Sequence, residues 1–204
     1  DGCTRIENPW YQGTTLRCSP ASTRRPFVFV LSPSAHSESG PFASPTSTGA
    51  GGTLVDLVDP AAWLSIAAAD DPFVDHRPPA IDCPAHLGWL IEKNGIEIVT
   101  ASCNYAGLVQ PSLRAVAEGD TLHAFLYHFD LLAAAPATAH LAVALGDSVV
   151  FDRTIAIPGP AEVFDVTLTA PADAPAGTPV VFHLHNHGQN TWTFASLQVE
   201  VAGP

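Results

Sequence analysis

From Gly95 onward, the chain consists of short segments in which apolar and polar residues alternate. In a β-strand, successive side chains point to opposite sides, so this alternation predicts strands with one buried and one solvated face. Turn residues such as Gly119-Asp120, Gly146-Asp147 and Pro158-Gly159-Pro160 separate the segments. Because no helical segments alternate with them, we expect antiparallel strands in an all-β sandwich. The predicted strands cover residues 96–101, 108–116, 121–129, 139–145, 149–157, 162–169, 180–187 and 191–201.

The alternation also predicts which side chains face the core. In the segment 191–201, Trp192 and Phe194 fall on the face opposite to Leu197 and Val199, because strand positions an odd number apart point to opposite sides. The residues predicted to share core faces are Leu141, Val143 and Leu145 on one strand, Val180, Phe182 and Leu184 on another, and Ala195, Leu197, Val199 and Val201 on the last.

Residues 1–94 have a different pattern, which predicts an irregular cap packed as one unit with the sandwich of residues 95–204. Short strands are predicted over 26–31 and 53–58, with a long Ser-, Pro- and Gly-rich loop between them. Asp59 followed by Pro60 is typical of a helix start and predicts a short helix over 59–64. Acidic residues and prolines dominate 70–84, which predicts an extended connector.

The charge balance limits the partners of this chain. Eight Lys and Arg residues stand against 20 Asp and Glu residues, a formal net charge of −12. Because binding to nucleic acid or to an anionic membrane surface depends on clustered cations, neither partner is expected. No apolar run approaches the roughly 20 residues that a membrane-spanning helix needs. We therefore expect no membrane span.

The start of the sequence suggests export. The chain contains no methionine, and Asp1-Gly2-Cys3 is neither a basic nor an apolar leader. Removal of a leader would account for both observations. We therefore expect a secreted, periplasmic or outer-surface protein.

The four cysteines are spaced unlike the C-x-x-C pairs of zinc and redox sites, so disulfides are expected. Three pairings are possible, and the one nearest in sequence joins Cys3 to Cys18 and Cys83 to Cys103. Such bridges would staple irregular loops. Asn104, Tyr105 and Gln110 follow Cys103 and are expected to fix the geometry of the loop that this disulfide holds.

Residues 95–201 resemble the galactose-binding-like jelly roll found in many carbohydrate-binding modules. The resemblance is carried by the turn at Gly119-Asp120, the alternating strand and polar turn from Val143 to Asp147, and the closing strand from Trp192 to Val201. It implies a sandwich of jelly-roll type, with a ligand on a sheet face or in the loops at one end. A structural calcium ion often accompanies this fold, although no calcium ligands can be matched here residue by residue. The runs 102–105, 110–113 and 183–192 also resemble exported proteins of myxobacteria, which implies no activity.

Histidines recur at every second position at His183, His185 and His187. On a strand, this spacing places all three imidazoles on one face, opposite the predicted core residues. Imidazole nitrogens suit zinc or copper, and two from one strand can hold an ion together with a third from a neighbouring strand. The candidates for that ligand are His128 first, then His123 on the opposite face of the same strand, and His140 third.

Two other interpretations of these residues remain open. In the first, the histidines lead into a turn formed by the residues that follow them. They then form a solvated or hydrogen-bonded edge that orders this loop. An exposed tryptophan beside polar side chains is also typical of a site for a carbohydrate or cell-surface ligand, since the ring covers the apolar face of a sugar. The residues assigned to this alternative are Trp192, Tyr127, Asn186, Gln189 and Asn190.

Catalysis has weaker support. There is no G-x-S-x-G motif, and the Asp70-Asp71 pair lies in the predicted Pro-rich connector, where a helix-end or solvated pair is expected. Zinc held by three histidines and a water would suit a hydrolase or lyase. However, no general base accompanies the histidines. The sequence therefore predicts a non-catalytic binding protein and assigns no catalytic residue.

Overall fold

The computed structural model describes residues 52–93 and 95–202 in full, and the backbone of residues 3–7 and 14–18. The chain divides into two compact units, Asp1–Thr48 and Gly49–Pro204. In the part of the chain that is described, no helix is long and apolar enough to cross a membrane.

The first unit contains a two-stranded antiparallel sheet. Strand β1 (Cys3–Glu7) pairs with β2 (Thr14–Cys18), and Cys3 lies opposite Cys18 in the register. The side chains of this hairpin lie outside the described part of the chain, so the Cys3–Cys18 disulfide stays a prediction. The strand predicted over 26–31 and the loop after it, up to residue 51, also lie outside the described residues.

The second unit is built almost entirely of antiparallel strands. Each of the strands predicted beyond residue 95 is present, with ends shifted by a few residues. The largest shift concerns the strand predicted over 108–116, which begins at Tyr105 and ends at Pro111. The strands of this unit are β3 (Thr53–Asp56), β4 (Leu64–Ser65), β5 (Trp89–Glu92), β6 (Gly95–Val99), β7 (Tyr105–Pro111), β8 (Thr121–His128), β9 (Ala137–Leu145), β10 (Ser148–Ile157), β11 (Glu162–Thr169), β12 (Pro179–Asn186) and β13 (Thr191–Val201).

These strands form two sheets packed face to face. The five-stranded sheet has the order β10-β9-β12-β7-β4, and the six-stranded sheet includes β11-β8-β13-β6-β5, with β3 also paired to β13. From β6 onward, successive strands divide between the sheets in the order of a jelly roll, in which two Greek keys close on each other. The predicted all-β sandwich is therefore confirmed.

The inner faces of the two sheets form the main core. Leu141, Val143 and Leu145 are buried as predicted, and so are Val180, Phe182 and Leu184. In β13 the prediction is correct for Leu197 and Val199 and wrong elsewhere. Trp192 and Phe194 share the core with them, whereas Ala195 is only half-buried and Val201 is exposed. The register of β13 shifts between Phe194 and Ser196, and such a bulge adds one residue and reverses the alternation.

Residues 53–92 belong to the sandwich and do not form a separate cap. Strands β3 and β5 extend the six-stranded sheet, and β4 extends the other. The boundary predicted between residues 94 and 95 is therefore wrong, since it falls between the paired strands β5 and β6.

The helix predicted over 59–64 is absent. The side chain of Asp59 accepts a hydrogen bond from the Ala61 amide at 2.8 Å, which closes a tight turn instead of capping a helix. The Gln110 side chain also binds both backbone groups of Asp59, at 2.8 and 3.0 Å. Leu64 and Ser65 then pair with β7, so the segment is extended where a helix was expected.

The Cys83–Cys103 disulfide is present as predicted. Next to it, Asn104 accepts a hydrogen bond from the Asp82 amide and donates one to the Ala80 carbonyl, both at 2.9 Å. The expected structural role of Asn104 in this loop is confirmed.

A second, smaller core lies on the outer face of the five-stranded sheet. Residues 66–77, which we call the strap, cross this face and bury Ile66 and Phe73 against Ala142, Ala144 and Val181. The strap contains two short 3-10 turns, Ala68–Asp70 and Val74–His76. The prediction of an unpacked connector is therefore wrong over 70–77. Small alanine side chains on β9 leave the space that Phe73 fills.

Candidate metal centre

The strand register brings histidines together on the outer face of the five-stranded sheet. His185 on β12 lies directly opposite His140 on β9. His183 lies one row further along, opposite Ala142 on one side and Gly107 on the other. A Cβ atom at Gly107 would lie 2.7 Å from the side chain of Ile66, so the strap residue Ile66 would have to shift if position 107 carried a side chain.

The strap adds a third ring to this face. The turn Val74–His76 places the imidazole of His76 parallel to that of His140, with ring centroids 3.8 Å apart and planes 4° apart. One potential ligand atom on each of His76, His140 and His183 lies within 4.8 Å of the others. We call these three residues the histidine cluster.

A buried carboxylate holds the strap in place. Asp71 accepts hydrogen bonds from the Phe73 amide at 3.0 Å, from Arg77 at 2.7 Å and from the Tyr105 hydroxyl at 2.5 Å. Burial, followed by this contact with Asp71, raises the pKa of Tyr105 well above its ordinary value, so the hydroxyl remains a donor. The expectation of a solvated carboxylate pair is wrong for Asp71, whose side chain has no exposed surface, whereas Asp70 is exposed.

His183 is the buried member of the cluster. Its ring stacks on Phe73 at a centroid distance of 4.6 Å and meets the edge of Tyr105 at 5.0 Å. Burial, followed by repulsion from His140, lowers the pKa of His183 to about 2. The ring is therefore neutral at physiological pH, which is the state that ligates metals.

Both ring nitrogens of His183 lack a hydrogen-bond partner among the residues that the structure describes. Buried polar atoms are normally paired, and leaving one unpaired costs about 1–3 kcal/mol. A metal ion bound to one of these nitrogens would remove part of that cost.

His140 is oriented by a neighbouring strand. Its Nε2 lies 3.1 Å from Oδ2 of Asp152 on β10, and its Nδ1 is buried without a partner in the described part of the chain. The ring therefore has one nitrogen engaged with a carboxylate and one nitrogen free.

Metal binding requires an adjustment of His76. Zinc–nitrogen bonds of about 2.0–2.1 Å in tetrahedral geometry bring two ligand nitrogens to about 3.4 Å from each other. The lone pair of an imidazole lies in the plane of the ring, so the parallel rings of His76 and His140 cannot both point at one ion. His76 is the most exposed member of the cluster, so its ring is the one that would have to rotate.

The structure brings a different histidine next to His183 from the one predicted first. His140, the third choice, joins the cluster, whereas His128, the first choice, does not. His128 lies on β8 in the other sheet, buried in the main core 4.3 Å from the ring of Trp192. His123 is on the same strand, on its outer face, 3.9 Å from Glu200. Both are excluded from the cluster by the division of the strands between the sheets.

The predicted row of three histidines is divided in the structure. His185 and His187 lie outside the cluster, with their ring centroids 4.5 Å apart. Burial, followed by the proximity of His187, lowers the pKa of His185. His187 lies beyond the end of β12 and is exposed.

The residues assigned to a carbohydrate site do not form a common surface. Trp192 has 2% of its surface exposed, and its indole donates to the side chain of Asn186 at 3.1 Å. Asn190 is also buried, and its side chain accepts a hydrogen bond from the Leu132 amide at 2.6 Å. The prediction of an exposed Trp192 is therefore wrong, since these residues order the turn after β12. Tyr127 lies on the outer face of the six-stranded sheet between Phe125 and Phe129, and Gln189 is exposed.

Three residues of the site were missed by the sequence analysis. His76, Asp71 and Asp152 lie in segments without a diagnostic motif. Each comes near the other site residues only through contacts between segments distant in sequence. The pairing of His140 with His185 could be found only from the order of the strands, which alternation does not reveal.

No protein-family model and no curated protein matches this sequence.

Proposed function

We propose that this protein binds a transition metal ion, zinc or copper, through His76, His140 and His183. The observation that carries the proposal is the state of His183, which is fully buried with both ring nitrogens unpaired among the described residues and two further imidazoles beside it. A purely structural histidine would normally have at least one nitrogen hydrogen-bonded. Three imidazole nitrogen donors suit zinc and copper.

The proposed role is binding without catalysis. A hydrolytic zinc site needs a base or acid free to exchange protons with substrate. Of the carboxylates near the cluster, Asp71 accepts three hydrogen bonds and Asp152 contacts His140. These contacts favour a role in binding an ion over a role in catalysis.

We also propose that the protein functions in an oxidising compartment after export. The support is the Cys83–Cys103 disulfide, because such bridges persist mainly outside the reducing cytosol.

Titration of metal-free protein with zinc, using protein prepared without a histidine tag, tests the metal proposal. The wild-type protein is expected to bind one equivalent. Because each cluster ligand supplies a direct bond, His76→Ala and His140→Ala should each weaken binding by at least about 10-fold.

The matched control is His123→Ala, which removes a partly exposed histidine from the other sheet. This variant should bind zinc like the wild type. Binding of less than about a tenth of an equivalent by the wild type, or an equal loss in the control, would refute the proposal.

A further inference from the structure

Asp152 reaches the histidine cluster from the neighbouring strand. It lies opposite Ala142 in the β9–β10 register, diagonal to His140 and on the same face of the sheet. Its Oδ2 lies 3.1 Å from Nε2 of His140. The His140 side chain is 12% exposed and that of Asp152 is 55% exposed, so the contact lies where the site meets solvent.

This contact selects the tautomer of His140. A carboxylate accepts hydrogen bonds and has no proton to donate, so Nε2 of His140 must carry the proton. In a neutral imidazole, the other nitrogen then has a free lone pair. That nitrogen is Nδ1, which is buried and has no partner among the described residues.

We propose that Asp152 is a positioning residue that makes Nδ1 of His140 the atom that binds the metal. The inference rests on the proposed metal-binding function and specifies how that site is built. The carboxylate fixes the ring orientation and, by accepting the Nε2 proton, raises the basicity of Nδ1. Asp152 itself does not contact the ion.

If the Asp152–His140 contact were only a surface ion pair, the loss of Asp152 would have a different effect. Exposed pairs contribute about 0–1 kcal/mol to stability, and the loss of one leaves a distant binding site unaffected. Only a positioning role links Asp152 to both the tautomer of His140 and the affinity for metal.

The test compares Asp152→Asn with Asp165→Asn in zinc competition titrations. Asp165 is an exposed aspartate on β11 in the other sheet, so the control removes the same charge at a site away from the cluster. We expect Asp152→Asn to weaken zinc binding by about 10- to 100-fold and Asp165→Asn to leave it unchanged.

The second measurement is heteronuclear NMR of the imidazole nitrogens in metal-free protein, with the His140 signals assigned by their loss in His140→Gln. In the wild type, His140 should carry its proton on Nε2, and zinc should shift the Nδ1 resonance. In Asp152→Asn the tautomer preference should weaken, because an amide can donate as well as accept.

The outcomes separate the two proposals. If the wild type binds zinc and Asp152→Asn binds it equally well, or if zinc shifts Nε2 of His140 instead of Nδ1, the role of Asp152 is refuted while the metal site stands. If the wild type does not bind zinc at all, the proposed function itself fails.

Discussion

At the scale of single residues, the environment of His183 is unusual. Gly107 and Ala142 flank it on the neighbouring strands, and Phe73 covers its ring. The small neighbours make room for the imidazole, while the covering ring removes it from water. The result is a histidine that resists protonation, which couples the stability of the fold to pH.

We expect the metal-free protein to lose stability on acidification because of His183. Its pKa is about 2 in the folded state against an ordinary value of 6.5. Between these values the unfolded chain binds a proton that the folded protein does not, so the free energy of unfolding falls as the pH falls below 6.5. Above that range the contribution is constant. Burial lowers the pKa of His76 and His185 as well, which acts in the same direction.

Urea unfolding at about pH 7 and about pH 5.5 measures this effect. Between the two conditions, the wild type should lose about 1 kcal/mol more stability than His183→Gln, which lacks the titrating group. The difference between the two proteins removes the contribution of other titrating groups. An equal loss in both would show that His183 is not buried in its neutral form.

At the scale of elements, the strap decides whether the cluster exists. It is held by the small core around Phe73 and by the buried contacts of Asp71 with Arg77 and Tyr105. His76 lies in the second turn of the strap, one residue before Arg77. The same contacts that anchor the strap therefore determine the position of His76.

Replacing the anchoring carboxylate should destabilise the strap. Asp71→Asn removes the charge that Arg77 and Tyr105 contact, and hydrogen bonds to charged groups contribute about 1.5–3 kcal/mol. We expect the free energy of unfolding to fall by about this amount, measured by urea denaturation. Zinc affinity should fall as well, because His76 loses its fixed position.

The neighbouring Asp70→Asn provides the control, since it removes an equal charge from an exposed side chain of the same strap. Its stability should match that of the wild type. If the two variants behave alike, the contacts of Asp71 do not anchor the strap.

At the scale of the whole sandwich, the strands of residues 53–92 and the strands that begin at Gly95 belong to the same two sheets. The segment between the strap and β5 contains Cys83, and Cys103 precedes β7. The bridge therefore ties a segment that leads into the six-stranded sheet to one that leads into the five-stranded sheet.

Removal of this bridge should destabilise the sandwich. Closing a loop of 20 residues reduces the entropy of the unfolded chain and contributes about 3 kcal/mol in the loop-closure model. The variant Cys83→Ala/Cys103→Ala should lose about this amount in oxidising buffer, as measured by denaturant unfolding. Peptide mapping of the wild type confirms that the bridge is formed. A variant as stable as the oxidised wild type would contradict the expectation.

The local sequence predicted most strands correctly, and the failures have identifiable causes. Alternation located strands such as β9 and β12 and the side of each that faces the core. It failed in β13, where a bulge after Phe194 reversed the pattern and buried Trp192. A bulge adds a residue without changing the composition of a strand, so alternation alone does not reveal it.

The sequence by itself determined that His183 and His185 share a face opposite Phe182, because side-chain direction in a strand is set by the local backbone. It also indicated the Cys83–Cys103 pair, which is close along the chain. Only the tertiary structure decided that β9 lies beside β12 and that the strap carries His76 onto that face. Strand order and strap docking depend on contacts between segments distant in sequence, and no local pattern encodes those contacts.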